Sequence, residues 1–266
     1  MADSALYSEK KARFGKMLTV YGRKPALEAL QDASLACHAL HLADNNREGG
    51  IIAELTALAG RRNVPVSHHS RAELARISKN GKQDQGVALD VLCPAFEGID
   101  SYLLERADKS SHVRLLALDG ISNPANLGMI IRSAAAGAVD GIICPRRGNA
   151  ALGPLVIKAS AGTVYRAPLL RCESLPEALR RCRERGFEIC TLAADAGESL
   201  FDYRPRPAVV YVLGNETEGV STEVESLADT RLAIPMRNGV ESLNVAVTAS
   251  LIAFAPAFSA GHHLDR

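Results

Sequence analysis

Five apolar runs without alternation set the architecture of the second half of this chain: residues 113–118, 139–144, 187–192, 208–213 and 231–234. A strand of that kind is buried on both faces, as happens when helices cover the two sides of a parallel sheet. Segments of helical periodicity lie between the runs, at 129–136, 154–160, 175–185, 222–227 and 243–253. The expected fold is therefore α/β with a mostly parallel sheet. In such sheets ligands bind outside the carboxyl ends of the strands. The loops after Leu118, Leu192, Leu213 and Ile234 are where chemistry is to be sought.

The first hundred residues read differently, as short strands alternating with amphipathic helices. A helix begins at 25–30 with Pro25 in its first turn, where no amide donor is needed. Strands are expected at 35–42, 64–67 and 86–92, and helices at 51–59, ended by Gly60, and 71–77, stopped by Asn80-Gly81. Residues 94–112 loosen into Pro, Gly, Ser and charge and read as a linker, with room for a helix at 99–106. The organisation expected is a small α/β domain at 17–93, a linker at 94–112 and a larger domain at 113–266. That agrees with about two domains for 266 residues.

Composition excludes several classes. With 47% apolar and 23% charged residues the chain can bury a sizeable core. No apolar run approaches the roughly 20 residues that cross a bilayer, so no membrane association is expected. Residues 1–16 hold Asp3 and Glu9 and no apolar core of a secretory signal. The six cysteines (37, 93, 144, 172, 182 and 190) form no CxxC pair and read as reduced thiols of a cytoplasmic protein. A net charge of +1 conceals two basic clusters: residues 1–24 carry net +4 and residues 61–82 net +5. They point either to a surface facing a polyanion or to solvated helix faces.

Three of the loops carry unusual residues. The first runs Asp119-Gly120-Ile121-Ser122-Asn123-Pro124-Ala125-Asn126-Leu127-Gly128 into a helix bearing Arg132. Asn126 suits an N-cap there, and Arg132 offers a planar fork for a phosphate or carboxylate. The second is Leu213-Gly214-Asn215-Glu216-Thr217-Glu218-Gly219-Val220. Its glycines allow close backbone approach, whereas Glu216 and Glu218 disfavour a phosphate and tolerate a cation. The third runs from Ile234-Pro235-Met236 to Ser242-Leu243-Asn244-Val245, with Ser242 as the expected N-cap of a long apolar helix. Asn244 then lies in the first turn, its amide free to bond to a neighbouring loop. Ile234, Pro235, Met236, Leu243 and Val245 make an apolar wall suited to a flat ring such as adenine. There is no P-loop, GxGxxG, GxSxG or HExxH, and the pairs His38/His41 and His68/His69 lack the partners of a metal site. No metal is expected.

Together the three segments resemble the motifs of the SpoU/TrmH-type RNA ribose 2′-O-methyltransferases of the SPOUT superfamily, over about residues 113–255. Val20-Tyr21-Gly22 and Asp84-Gln85-Gly86-Val87 extend the resemblance to the family's substrate-binding domain, which is similar to an RNA-binding ribosomal-protein fold. The resemblance implies a C-terminal trefoil knot, S-adenosylmethionine as methyl donor, RNA as substrate, and a homodimer with a site completed across its interface. It makes Arg132 the catalytic arginine, with Asn126 positioning the ribose or Arg132. Glu216 orders the second loop, and Asn244 and Ser242 fix the third. Leu192, Gly214, Asn215, Gly219, Ile234, Met236, Leu243 and Val245 bind the donor. A guanidinium stays protonated, so Arg132 fits the orientation of a phosphate, or of developing charge, better than the role of base. The C-terminal end, broken at Pro256, lacks the longer charged helix of some tRNA-acting members, which together with the N-terminal domain points to ribosomal RNA. Beside this stand a tRNA ribose methyltransferase, a base methyltransferase of the same superfamily, and an RNA-binding assembly factor with an inactive transferase domain.

Overall fold

The computed structural model describes residues 14–105 and 112–259. Lys10, Lys11 and Arg13 of the first basic cluster, and residues 106–111 of the expected linker, lie outside them. The chain divides into two compact units, one holding residues up to 95 together with 152–154, the other 96–151 and 155 onward.

The first unit is a four-stranded sheet in the order β1 (Met17–Tyr21), β4 (Val87–Leu92), β2 (Ala36–Ala43), β3 (Val66–His69). β4 is antiparallel to both neighbours and β2 is parallel to β3. Three helices accompany it: α1 (Arg23–Gln31), α2 (Gly50–Arg61) and α3 (Arg71–Ser78). Alternation places Leu18 and Val20 of β1 and Leu40 and Leu42 of β2 in the core, while Leu74 and Ile77 of α3 pack on Ala43 and Ala88. α2 runs through Gly60 to Arg61, past the expected stop. Two cations of the second basic cluster serve the fold. Arg62 donates to the carbonyls of Ala29, Leu30, Asp32 and Leu35, closing the end of α1. Arg71 meets the fully buried Asp84 at 3.0 Å.

The second unit is an eight-stranded sheet in the order β10-β12-β9-β11-β6-β7-β8-β5, parallel throughout. In chain order its elements are β5 (Glu97–Gly98), α4 (Ile99–Glu105), β6 (Val113–Leu118), α5 (Pro124–Ala136), β7 (Gly141–Pro145), α6 (Pro154–Ala159) and β8 (Leu169–Cys172). α7 (Leu175–Glu184), β9 (Glu188–Leu192), β10 (Glu198–Ser199), β11 (Ala208–Leu213), α8 (Thr222–Glu225), β12 (Thr230–Ala233) and α9 (Val245–Ser259) complete it. Within the stretch read as a linker, Glu97 and Gly98 pair with β8, and Ile99, Tyr102 and Leu103 of α4 enter the core. That part of 94–112 is therefore an edge of the second unit. β6 and β11 are buried on both faces, which is why their runs do not alternate. α9 continues through Pro256, beyond the expected end at 253. Among the described residues no helix is long and apolar enough to cross a membrane.

Candidate active site

Four neighbouring parallel strands, β6, β11, β9 and β12, carry the loops singled out by the sequence. Their carboxyl ends open into one hollow of about 740 Å³, within the usual range for a small-molecule site.

The first loop is held by main-chain and amide bonds. Asp119 N–H donates to Leu213 O (2.8 Å), and Asp119 Oδ2 accepts from Ser221 N–H (2.7 Å). Asn149, from the loop after β7, accepts from Ile121 N–H (2.6 Å) and donates to Leu118 O (3.2 Å). The helix then starts earlier than expected. Asn123 is the N-cap, accepting from the N–H groups of Ala125 (2.8 Å) and Asn126 (3.4 Å), and Pro124 occupies the first turn. Asn126 is inside α5 and buried. Its side chain is thereby released from capping.

The second loop closes on itself. Asn215 and Gly219 exchange N–H···O bonds of 2.8 and 3.0 Å, and Asn215 Oδ1 accepts from the N–H groups of Thr217 and Glu218. Asn215 Nδ2 ties the turn to Gly120 O at 2.7 Å. A Cβ on Gly214 would stand 2.2 Å from Gly219 C and from Val220 N. The glycine at 214 thus makes room for the chain's own return, and its main chain lines the hollow.

In the third loop Val240 N–H donates to Arg237 O across Asn238 and Gly239, both at positive φ, the pattern of a type I′ turn. The N-cap of α9 is Asn244 rather than Ser242: Asn244 Oδ1 accepts from Ala246 N–H at 2.8 Å. The other end of that amide reaches across the hollow. Asn244 Nδ2 donates to Asn126 Oδ1 (3.1 Å), and Asn126 Nδ2 donates to Glu216 Oε1 (2.7 Å). One polar relay therefore joins all three motifs, its two links spanning 90 and 118 residues of chain.

Leu192, Gly214, Asn215, Gly219, Ile234, Met236, Leu243 and Val245 line the hollow, as do Asn126, Glu216, Ser242 and Asn244. Arg132 does not; it lies exposed on α5. Sequence reasoning missed Ser122, Asn123, Thr217, Glu241 and Thr248 among the lining residues. Glu241 sits directly before Ser242 in the third motif, and its charge was the available signal. Burial pushes the thiols of Cys93, Cys172, Cys182 and Cys190 up to about 12, which makes them poor nucleophiles. No group of three or more metal-ligating side chains occurs among the described residues.

Comparison with known proteins decides the family. The SpoU rRNA Methylase family model matches residues 114–254, and that for RNA 2′-O ribose methyltransferase substrate binding matches residues 19–92. A protein of Mycolicibacterium vanbaalenii named as an uncharacterized tRNA/rRNA methyltransferase is 33% identical over 88% of this chain and 74% of its own length. The chain belongs to the SpoU rRNA methylase family. A relative from Mycobacterium avium with the same name is 34% identical over 88% of this chain and 75% of its own. The SpoU methyltransferase AviRb of Streptomyces viridochromogenes, solved in complex with AdoMet, superimposes with a TM-score of 0.61 over 93% of this chain and 92% of its own. At 20% identity that likeness is one of fold. The three motifs are thus those of a SpoU-family RNA methyltransferase, and the N-terminal sheet falls within the stretch matched by the substrate-binding model.

Proposed function

We propose that this protein transfers a methyl group from S-adenosylmethionine to a ribose 2′-hydroxyl of ribosomal RNA. The observation that carries the donor assignment is the chemistry of the hollow. Apolar side chains of Leu192, Ile234, Met236, Leu243 and Val245 face loops built on glycine and amide groups, and among the described residues the only ionisable ones in the lining are the carboxylates Glu216 and Glu241. Such a lining suits an adenine ring and a cation, and it offers no lysine or arginine to a phosphate.

When bound, S-adenosylmethionine supplies a methyl group activated by its sulfonium. The chain's own residues bind, orient and hold. Asn126, with both ends of its amide engaged, keeps Glu216 and Asn244 in place, and so braces the second and third loops. Ser242 and Leu243 carry the third loop across the mouth. Arg132 orients an RNA phosphate or stabilises the charge that develops as the hydroxyl loses its proton, since a guanidinium does not act as a base at neutral pH. Its place outside the hollow of its own chain supports a site completed by a second copy. Met129 of α5 and Val247 of α9 support the same homodimer, being 41 and 47% exposed on two helices that pack side by side. Sedimentation as a monomer at micromolar concentration would refute it. A C-terminal trefoil knot is part of the proposal too, supported by the lie of β11 between β6 and the earlier strand β9.

Nucleoside mass spectrometry on total RNA from cells with and without the protein tests the reaction. The expected result is one 2′-O-methylated nucleoside lost from ribosomal RNA. Loss from tRNA instead would favour the tRNA reading, which the names of the relatives keep open. A missing base methylation would sink the ribose assignment.

A further inference from the structure

Glu216 and Glu241 are not equivalent. Glu216 is engaged, accepting from Asn126 Nδ2 at 2.7 Å. Glu241 follows the Arg237–Val240 turn and is exposed, and its carboxylate makes no hydrogen bond or ion pair with the described residues. Among the described residues no lysine, arginine or histidine lines the hollow to neutralise it. An unengaged carboxylate facing a space walled by apolar groups and main chain retains its attraction for a positive charge better than one dispersed in bulk water. Methyl transfer changes charge in that space. The carbon–sulfur bond breaks and an oxygen–carbon bond forms, the hydroxyl proton departs to solvent, and the sulfonium becomes a neutral thioether.

We infer that Glu241 is the residue by which this protein distinguishes the methyl donor from the spent, demethylated product, holding the cationic form and weakening its grip once the positive charge on sulfur is gone. The inference rests on the donor assignment above and adds to it a basis for product release. Glu241 acts here on the ligand's charge, not on the RNA hydroxyl. Its effect should therefore appear in binding without RNA.

Isothermal calorimetry on the full chain, with S-adenosylmethionine and S-adenosylhomocysteine titrated separately, tests it. The wild type is expected to favour the sulfonium form. Glu241→Gln should lower the ratio of the two affinities on the order of tenfold, chiefly by weakening the cationic ligand, because contact-range charges near a protein surface interact more strongly than in water. The wild-type preference should also shrink with added salt. Glu218→Gln, on the second loop but outside the hollow, should leave the ratio unchanged. An unaltered ratio in Glu241→Gln, or an equal fall in Glu218→Gln, overturns the inference while leaving the donor assignment intact. If neither ligand binds the wild type, the donor assignment itself fails and the inference with it. Unchanged thermal melting of Glu241→Gln separates a binding effect from misfolding.

Discussion

Asn126 has both ends of its carboxamide committed, one to Glu216 and the other to Asn244, and this makes it a strut between loops. Arg132, two turns further along α5, is free of the hollow. The two therefore call for different outcomes. Arg132→Ala should abolish methyl transfer and leave S-adenosylmethionine affinity within about twofold, because no part of the donor's enclosure is lost. Retained turnover would remove Arg132 from the mechanism. Gly214→Ala should destroy donor binding. Its Cβ meets main-chain atoms at 2.2 Å, and main chain cannot swing aside as a side-chain tip can. Donor titration of the folded variant checks this, and near-normal affinity would show that the turn has slack.

Among the elements, a polar row crosses the N-terminal sheet from strand to strand. Thr19 Oγ1 donates to Asp90 Oδ1 at 2.7 Å, His41 Nε2 lies 3.3 Å from Asp90 Oδ2, and His41 Nδ1 lies 3.0 Å from His69 Nε2. Burial raises the Asp90 pKa, but the hydrogen bonds from His41 and Thr19, with the charges of His41 and His38, together more than reverse this, so the carboxyl sits below its ordinary value. A carboxyl with a lowered folded pKa stabilises above its unfolded value, about 3.9, and that stability is lost as pH falls through the folded pKa. Melting temperature should therefore drop more steeply below pH 4 in the wild type than in Asp90→Asn, as circular dichroism at several pH values would reveal. Parallel slopes would exclude Asp90 from the acid response. The elements themselves were unequally legible. β6 and β11 matched their apolar runs end to end, because burial on both faces leaves an uninterrupted signal. The starts of α3, α6, α7 and α8 fell where expected, but those of α5 and α9, the two helices at the site, did not. Ser122, Asn123 and Asn126 all suit a cap, and Pro124 at the first helical position was the clue that favours Asn123. Ser242 and Asn244 posed the same choice. Two-residue strands such as β5 and β10 have too few residues to show any period.

At the scale of the molecule, the sequence located three motifs, but not the relay that connects them. Side-chain bonds between residues 90 and 118 apart leave no mark on local periodicity. Nor could the charge count reveal that Arg62 and Arg71 are spent on the fold. The remaining exposed cations, among them Lys24, Arg47 and Lys82, still suit contact with phosphate. Removing residues 1–93 is expected to weaken RNA binding by at least tenfold, with a shallower salt dependence, and to spare donor binding. Filter binding across a salt series checks this, and undiminished RNA affinity would move the contact to the second unit.

The strand order also governs how this chain must assemble. β6, β7 and β8 emerge in sequence and lie side by side, but β9 has no place beside them until β11, some twenty residues later, fills the gap next to β6. A nascent chain halted before residue 208 therefore presents a bare β6 edge, the sort that recruits foreign strands and seeds aggregates. Such pairing between distant segments is slow to form, so the ribosome must deliver most of this enzyme before its sheet can close.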